Sequence, residues 1–589
     1  MGRVLFAPRD LPPLGPDVAT DLPRYRTWVR QREAERLAGT VQPTVARPPD
    51  AAAAPASAVS DLAWLVVVDQ PDPDALRRTV RSVAAQATDR WTLALAVVGH
   101  IDAEDDAVLN RLLDGLPADR SVVIELPAET RAADAAAAAF AASEAPGVAL
   151  LDPGDELAPD ATAVLIDALA GADVAYADED HIGTGDGPTD PMLKPDWSPE
   201  LLLSTPYLGR PFALRRPVVD AAGGIGMLAG GDWEHDLMLR AAETTDRVAH
   251  VAEILYHRGP RPPVPRPPIG SGAVTGALAR RGDDGSVQSG PLPGTWRVHR
   301  RTRARPSVSA IIPFRDGARF LRTCVDSVTA TAGDVDLELV LVDNGSVEPE
   351  TRTLVERLAG RTDVVVVRDD RPFNWAALNN DAVDSSRGDV LLFLNNDIEA
   401  RHDGWLEVLA AQALRPEIGA AGARLLYPTG RVQHAGLVIG LGGAAGHVLV
   451  GLDGDAPGYL GMAMLARDCS AVTGACLAIR RAVFDDLGRF DVSLGLDLND
   501  IDFCLRARQR GLRVVYEPLA ELVHYESPSR GTSGSVDDIA RFVDRWEGII
   551  TAGDPFLNRH LTRLNSTCAL REPDEEGWWQ AWRSTLGTS

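Results

Sequence analysis

The chain has 589 residues, of which 84 are acidic and 59 basic, so its net charge is −25. Hydrophobic residues make up 45% and charged residues 24%, which is typical of a folded globular protein and excludes a disordered one. The acidic balance argues against nucleic acid as a main partner, because a phosphate backbone is bound by a basic field.

Cysteine usage and hydropathy indicate the cellular compartment of the protein. The five cysteines form no CxxC pair, which is typical of reduced, structural thiols in a cytoplasmic protein. No stretch reaches about 18 apolar residues, and the opening MGRVLFAPRDLPPLGPD lacks the apolar run of a signal peptide. We therefore expect a cytoplasmic protein whose membrane contact is at most peripheral.

The first half of the chain predicts an extension followed by an α/β unit. Residues 1–60 contain one short helix, 25–37, and end in an Ala/Pro-rich linker. Between residues 61 and 258, apolar runs alternate with helical stretches at 74–86 and 131–144, which predicts a mostly parallel, doubly wound sheet. The predicted strands are LAWLVVV (62–68), LALAVV (93–98), SVVIEL (121–126) and VALL (148–151).

A second α/β unit, 306–532, follows a Pro-rich linker and connecting segment, 259–305. Its apolar runs are continuous, as expected of parallel strands that are covered on both faces. They are VSAII (308–312), LELVLV (337–342), DVVVV (363–367) and VLLFL (390–394). The two units share an order of features that indicates an internal duplication, and residues 533–589 predict a helical extension.

Polar residues follow the strands of the second unit, where open α/β sheets bind ligands. The first strand ends at Pro313, with Arg315 nearby, and the second ends at Asp343. Asp343 could accept hydrogen bonds from a nucleoside, or it could belong to an ordinary β-turn. The triplet 395–397 (Asn-Asn-Asp) suits a hard cation such as Mg²⁺ or Mn²⁺, or it caps a turn.

Two later residues are candidates for proton and metal chemistry. Asp500 opens a predicted helix, where backbone N–H groups and the helix dipole favour a carboxylate over the neutral acid. An anionic aspartate can take a proton from an attacking hydroxyl, although helix capping is the alternative interpretation. His524 follows an apolar run, and a lone histidine there is more often structural.

Taken together, these segments resemble the family 2 inverting glycosyltransferases of the GT-A fold. The resemblance covers almost all of residues 306–532 and points to the large bacterial rhamnosyl- or O-antigen-type branch. It is carried by PSVSAIIPFRD, ELVLVDNGS, FNWAALNNDAV, GDVLLFLNNDIE, RVQHAGLVIGLGGAAGH, SAVTGACLAIRR and NDIDFCLRARQRG…ELVHYES. It implies two tandem GT-A domains and sugar transfer from a nucleoside-diphosphate donor to a glycan or polyprenyl-linked acceptor at the inner membrane face.

The resemblance also implies residue roles. Asp500 would be the catalytic base, and Asp397 and His524 would hold a divalent metal, Mg²⁺ or Mn²⁺. The nucleotide-sugar contacts would fall on Pro313, Arg315, Asp343, Asn379 and Asn396. The sequence departs from the usual motif at Asn395, where Asp is commonest, and at Asn499, where Glu is commonest.

The first unit resembles the same family but has altered key positions. Its motifs are LLDPGDELAPDA, VAYADEDHIG, PMLKPDWSPELLL and DWEHDLMLR. Val97 and Val98 stand at the nucleoside position and Gly154 stands inside the metal cluster, whereas Glu234 and His257 match the base and histidine positions. We predict a degenerate, inactive unit; a bifunctional enzyme with both units active is the alternative.

The sequence also suggests two other functions. Residues 438–446 (VIGLGGAAG) suggest a dinucleotide-dependent oxidoreductase, but that fingerprint needs a helix directly afterwards, and HVLVGLDGDAPGY does not predict one. We interpret this segment as a mobile loop over the acceptor side. A non-catalytic sugar-binding scaffold is the second alternative, and the combination of Asp397, Asp500 and His524 argues against it.

Overall fold

The structure is a computed structural model that describes residues 17–47, 59–69, 72–99, 115–183, 185, 187–226, 232–260, 270–526 and 535–586. The N-terminal unit comprises Pro16–Gly282 and Leu557–Leu561, and the C-terminal unit comprises Asp283–Phe556 and Thr562–Ser589. Most of the predicted Ala/Pro-rich linker and part of the Pro-rich linker lie outside the described residues. Within those residues, no helix has both the length and the apolar character needed to cross a membrane.

The N-terminal unit is built on one mixed sheet. Its strands are β1 (Val45–Ala46), β2 (Leu62–Val68), β3 (Trp91–Val98), β4 (Ser121–Leu126), β5 (Gly147–Leu150), β6 (Glu156–Leu157), β7 (Val174–His181), β8 (Thr189–Met192), β9 (Phe212–Arg215) and β10 (Val248–Arg258). The sheet order is β1-β10-β7-β9-β5-β2-β3-β4, and β6 and β8 pair with β10 and β7. The predicted N-terminal extension is therefore more than a helix and a linker, because β1 pairs with β10.

Helices cover this sheet. They are α1 (Leu22–Leu37), α2 (Pro73–Ala84), α3 (Ala132–Ala142), α4 (Ala161–Gly171), α5 (Pro199–Ser204), α6 (Arg216–Ala221), α7 (Trp233–Thr244) and α8 (Gly272–Arg281). The side chain of Asp72 caps α2 by accepting from the N–H groups of Asp74 and Ala75. Leu76 and Val80 on the inner face of α2 are buried against the sheet.

The C-terminal unit has more described strands than the N-terminal unit. They are β11 (Gly285–Ser289), β12 (Trp296–Arg300), β13 (Ser307–Phe314), β14 (Asp336–Asp343), β15 (Val364–Arg368), β16 (Val390–Leu394), β17 (Ile398–Ala400), β18 (Ile418–Leu426), β19 (Val432–His434), β20 (Leu437–Ile439), β21 (Ala445–His447), β22 (Arg467–Asp468), β23 (Cys476–Arg480) and β24 (Arg513–His524). The main sheet has the order β15-β14-β13-β16-β23-β18-β24-β17, and β19 and β22 pair with β18 and β24.

The helices of this unit are α9 (Ala318–Thr331), α10 (Pro349–Leu358), α11 (Trp375–Val383), α12 (Trp405–Ala413), α13 (Arg481–Asp486), α14 (Asn499–Gln509), α15 (Val536–Ala552) and α16 (Trp578–Leu586), with short 3₁₀ turns at Tyr459–Gly461 and Pro573–Gly577. One face of α9 is buried at Leu321, Cys324, Val325 and Val328, which recur at helical spacing. Phe320, next to Leu321, is only partly buried.

The two sheets have the same strand topology. In the N-terminal sheet β2 pairs in parallel with β3 and β5, β9 lies antiparallel to both β5 and β7, and β10 is parallel to β7. In the C-terminal sheet β13, β14, β16, β23, β18 and β24 repeat these relations in the same order. The short strands β6 and β17 occupy equivalent places, antiparallel to β10 and β24. Residues of the two units can therefore be compared position by position.

Two predicted loops contain regular structure. The predicted connecting segment 259–305 includes α8 and the antiparallel hairpin β11–β12. Residues 438–446 form most of the antiparallel hairpin of β20 and β21, with the turn at 440–444 between the strands. A strand therefore follows the glycines where a dinucleotide fingerprint needs a helix, which argues against the oxidoreductase alternative.

Candidate active site

The carboxyl ends of β13, β14 and β16 lie at one edge of the C-terminal sheet, because the three strands are parallel neighbours. Asp343 is the last residue of β14 and pairs in register with Phe314 of β13. Asn395 follows Leu394, the last residue of β16. The fold thus brings the two predicted polar clusters to the same edge, with β13 between them.

Asp343 is buried and holds the loop that follows it. Its Oδ1 accepts from the Ser346 N–H at 2.8 Å, and its Oδ2 accepts from Arg368 at 2.6 Å. Arg368 is 43% exposed, so the ion pair faces solvent on one side. Each carboxylate oxygen has further acceptor capacity for a nucleoside N–H or O–H.

The other predicted nucleotide-sugar residues differ in accessibility. Arg315 is exposed, Asn396 is partly buried in the turn after β16, and Pro313 lies within β13 opposite Val342. Asn379 is fully buried in α11, where its amide donates to the Trp375 carbonyl at 2.8 Å. The Oδ1 atom of Asn379 has no hydrogen-bond partner among the described residues.

Asp397 and His524 meet directly. The His524 Nε2 lies 3.2 Å from the Asp397 Oδ1, because Ile398 of β17 pairs with His524 of β24. On the other side of the ring, the His524 Nδ1 lies 2.7 Å from the Oε1 of Gln433. If Nδ1 carries the ring proton and donates it to Gln433, Nε2 presents a lone pair to the carboxylate.

This arrangement fits a divalent cation. A lone pair and a carboxylate oxygen at 3.2 Å repel each other unless a proton or a cation lies at that place, and a carboxylate with an imidazole is a usual ligand pair. The described part of the chain contains no group of three or more His, Cys, Asp or Glu side chains that could hold a metal ion. Asp397 and His524 would thus be the protein ligands, with phosphate oxygens and water supplying the rest.

Asp500 lies in the first turn of α14 and is fixed by backbone donors. Its Oδ2 accepts from the Gly474 N–H at 2.6 Å and its Oδ1 accepts from the Ile501 N–H at 2.8 Å. A Cβ atom on Gly474 would lie 3.0 Å from the Trp375 ring, so a glycine allows this close approach. The helix start predicted from the sequence is correct.

Burial and hydrogen bonding shift the pKa of Asp500 in opposite directions. Burial raises the pKa of Asp500, and the hydrogen bonds from Gly474 and Ile501 oppose that shift without cancelling it. The donors at the helix start favour the anion, but desolvation disfavours it more strongly, so the net shift of the pKa is upward. A base with a raised pKa is a better proton acceptor once it is ionised.

Backbone hydrogen bonds connect the base to the cation-binding turn. Gly474 binds Asp500, and the carbonyl of the next residue, Ala475, accepts from the Asn395 N–H at 3.0 Å. The turn that follows Asn395 carries Asp397. The C-terminal unit thus brings together Asp397, His524 and, through two adjacent backbone groups, Asp500.

The equivalent positions of the N-terminal unit are occupied differently. His257 pairs with Glu156, as His524 pairs with Ile398, so Asp155 corresponds to Asp397. Asp155 is fully buried, and its oxygens accept from the Tyr256 hydroxyl at 2.8 Å and the Gly259 N–H at 2.7 Å. His257 instead contacts Asp180 at 2.6 Å.

Arg210 bridges the remaining acidic residues of this cluster. Its guanidinium lies 3.2 Å from Asp152, two residues after β5, and 2.8 Å from Glu234. Glu234 is the second residue of α7, as Asp500 is the second residue of α14. Burial alone would lower the pKa of Arg210, but the Glu234 and Asp152 carboxylates raise it well above the usual value. A permanent cation of the chain therefore lies between the two carboxylates.

Comparison with known proteins gives a family match within the C-terminal unit. Residues 309–488 match the sequence model described as Glycosyl transferase family 2. The C-terminal unit thus contains a family 2 glycosyl transferase domain. The resemblance and the α/β fold class predicted from the sequence are confirmed. Asp343 and Asp397 lie inside the matched residues, and Asp500 and His524 lie beyond their end.

Two curated relatives align with nearly the whole chain. The O-antigen biosynthesis protein RfbC of Myxococcus xanthus is 35% identical over 99% of this chain and 46% of its own length. The uncharacterized protein y4gI of Sinorhizobium fredii is 36% identical over 93% of this chain and 62% of its own length. The chain therefore spans about half to three fifths of these relatives.

A solved structure, GalNAc-T7 with UDP, GalNAc and Mn²⁺, is similar over 43% of this chain and 50% of its own. Its sequence identity is 18% and its TM-score is 0.33.

Sequence reasoning missed several residues that shape the site of the family 2 domain. Gln433 lies inside the motif RVQHAGLVIGLGGAAGH, but nothing in its spacing indicates a contact with a histidine 91 residues away. Arg368 and Gly474 were missed for the same reason, since their partners are distant in sequence.

Proposed function

We propose that the C-terminal unit is an inverting glycosyltransferase. It would move a sugar from a nucleoside-diphosphate donor to a hydroxyl of a cell-surface glycan or a lipid-linked saccharide, at the cytoplasmic face of the membrane. Family membership and the relative named for O-antigen biosynthesis support this proposal. The observation that carries it is the Asp500 carboxylate, fixed by two backbone donors beside the strand-end cluster.

The proposed chemistry is one displacement. Asp500 takes the proton of the acceptor hydroxyl, whose oxygen attacks the anomeric carbon. The bond to the diphosphate breaks on the opposite face, and the anomeric configuration inverts. Asp343 holds the nucleoside, and when a divalent cation is bound by Asp397 and His524 it supplies positive charge for the leaving diphosphate.

The first test is a donor screen. Purified protein would be incubated with dTDP-rhamnose, UDP-galactofuranose and related donors, with and without lipid-linked acceptors, and released nucleoside diphosphate would be measured. Sugar transfer identifies the donor and excludes a non-catalytic scaffold. Binding of a donor without release or transfer would contradict the proposal.

The raised pKa of Asp500 predicts the acid limb of the pH profile. The base works as the anion, so kcat/KM should fall as the pH is lowered through the pKa of Asp500. This fall should occur above about pH 4, near which an ordinary aspartate titrates. The measurement is initial rate against pH, with circular dichroism at each pH to show that the fold persists. A rate that stays constant down to about pH 4 would contradict the assignment of the base.

We further propose that the N-terminal unit does not transfer sugar. The carboxylates at its equivalent positions are bound by Arg210, Tyr256 and the Gly259 backbone, and the nucleoside position holds Val97 and Val98. The chain thus fills with its own donors the positions that would hold a cation and an acceptor hydroxyl. A bifunctional enzyme would need those contacts to open.

This proposal predicts nearly unchanged transfer in variants of the N-terminal unit. Glu234→Gln and Asp152→Ala should leave the rate within a few-fold of the parent, although each weakens an ion pair of the buried Arg210 and should lower the thermal stability. Product mass spectrometry would count the sugars that each variant adds. If Glu234→Gln stops one of two distinct additions, both units are active and the proposal is wrong.

A further inference from the structure

Gln433 occupies a distinctive place in the sheet. The antiparallel ladder pairs Leu425 of β18 with His434 and Leu426 with Val432, so Gln433 is an extra residue between the two pairs. Such a β-bulge re-aims a side chain, and bulges are enriched beside active sites. Gln433 is 7% exposed, so its amide must find partners inside the protein.

Backbone hydrogen bonds hold Val432, the residue before the bulge, in place. The Val432 N–H donates to the Leu452 carbonyl at 2.8 Å, and the Gly451 N–H donates to the Val432 carbonyl at 2.8 Å. The Gln433 side chain hydrogen-bonds the side chain of Tyr427 and lies 2.7 Å from the His524 Nδ1. The Gln433 amide therefore lies between the phenol of Tyr427 and the imidazole of His524.

We propose that Gln433 is a positioning residue that fixes the ring and tautomer of His524, and thereby sets how tightly the C-terminal unit holds a divalent cation with a nucleoside diphosphate. This rests on the proposed function. By accepting the Nδ1 proton, the Gln433 carbonyl leaves Nε2 without a proton on the side of Asp397. An outer hydrogen bond of this kind orients a metal-binding histidine and raises its basicity.

The surroundings of His524 offer little to replace this contact. The Asn395 amide lies 3.4 Å from Nε2, on the cation side of the ring. His434 and His447 contact each other, with their Nδ1 atoms 2.9 Å apart. Among the contacts described for the His524 ring, Gln433 is the partner of Nδ1.

The test measures Mn²⁺ binding to the full chain by electron paramagnetic resonance, in the presence of UDP, dTDP or GDP in turn. Gln433→Leu removes the acceptor and should weaken Mn²⁺ binding by about 10–100-fold, whereas Gln433→Glu keeps an acceptor and should stay within about threefold. Gln412→Leu is the matched control, since the Gln412 amide binds Glu517, which is also on β24. It should leave Mn²⁺ binding unchanged.

The outcomes separate the inference from the function on which it rests. If Asp397→Ala also binds Mn²⁺ normally with every nucleotide, the proposed cation site itself is wrong. If Asp397→Ala loses Mn²⁺ and Gln433→Leu does not, the positioning role alone is wrong.

A second readout applies if Gln433→Leu does not fold. Gln433→Met keeps the side-chain length, and ¹⁵N spectra of the histidine rings, assigned with His524→Ala, report the His524 tautomer. The parent should show the Nδ1–H form and the methionine variant a mixture. An unchanged tautomer would overturn the inference.

Discussion

Replacing Asp500 by asparagine should lower turnover by about 10²–10⁴-fold, because the amide cannot take the proton of the acceptor hydroxyl. The side chain would stay at the start of α14, so substrate binding should change much less than turnover. The measurement is kcat and KM for the donor identified by the screen. Near-normal turnover in a folded variant would remove Asp500 from the mechanism.

The fold must be measured in the same experiment. Asp500 accepts from both Gly474 and Ile501, and an asparagine offers one acceptor oxygen for these two donors. One N–H group would lose its partner, which costs about 1–3 kcal/mol of unfolding free energy. The matched control is Asp502→Asn in the same helix, because Asp502 binds Arg545 and Trp546. It should lose stability while kcat falls far less than in Asp500→Asn.

The sequence predicts four strands of each sheet, because these strands carry local signals. The runs at 62–68, 121–126 and 390–394 form β2, β4 and β16 with the predicted ends. The run 390–394 is buried throughout, so its pattern needs no knowledge of the partners, whereas the edge strands β4 and β15 are only partly buried. The very short strand β1 carries no such signal, since its position depends on β10, about 200 residues away.

The candidate site is less predictable, because its electrostatics come from long-range contacts. The motifs predict that Asp397 and His524 belong to one site, and the pairing of β17 with β24 brings them together. It does not predict that burial raises the pKa of Asp500, nor that Arg210 lies between Asp152 and Glu234. Both facts depend on which side chains pack around a position, and that is fixed only when the chain has folded.

Asp397→Ala should abolish cation-supported sugar transfer. The carboxylate is the charged member of the Asp397–His524 pair, so its loss should weaken Mn²⁺ binding by more than the roughly 10–100-fold that an outer hydrogen bond contributes. His524→Ala should have a smaller effect, since phosphate oxygens and water can replace one neutral ligand. Transfer rates measured against Mn²⁺ concentration would give both values.

The N-terminal unit supplies the matched control for this prediction. Asp155 occupies the position equivalent to Asp397, but the Tyr256 hydroxyl and the Gly259 N–H bind its oxygens. Asp155→Ala should therefore lower the melting temperature, because two buried donors lose their acceptor, and leave the Mn²⁺ dependence of transfer unchanged. Full activity after removal of divalent cations with EDTA would show that Asp397 and His524 act without a metal. A changed Mn²⁺ dependence in Asp155→Ala would show instead that the N-terminal unit takes part in the reaction.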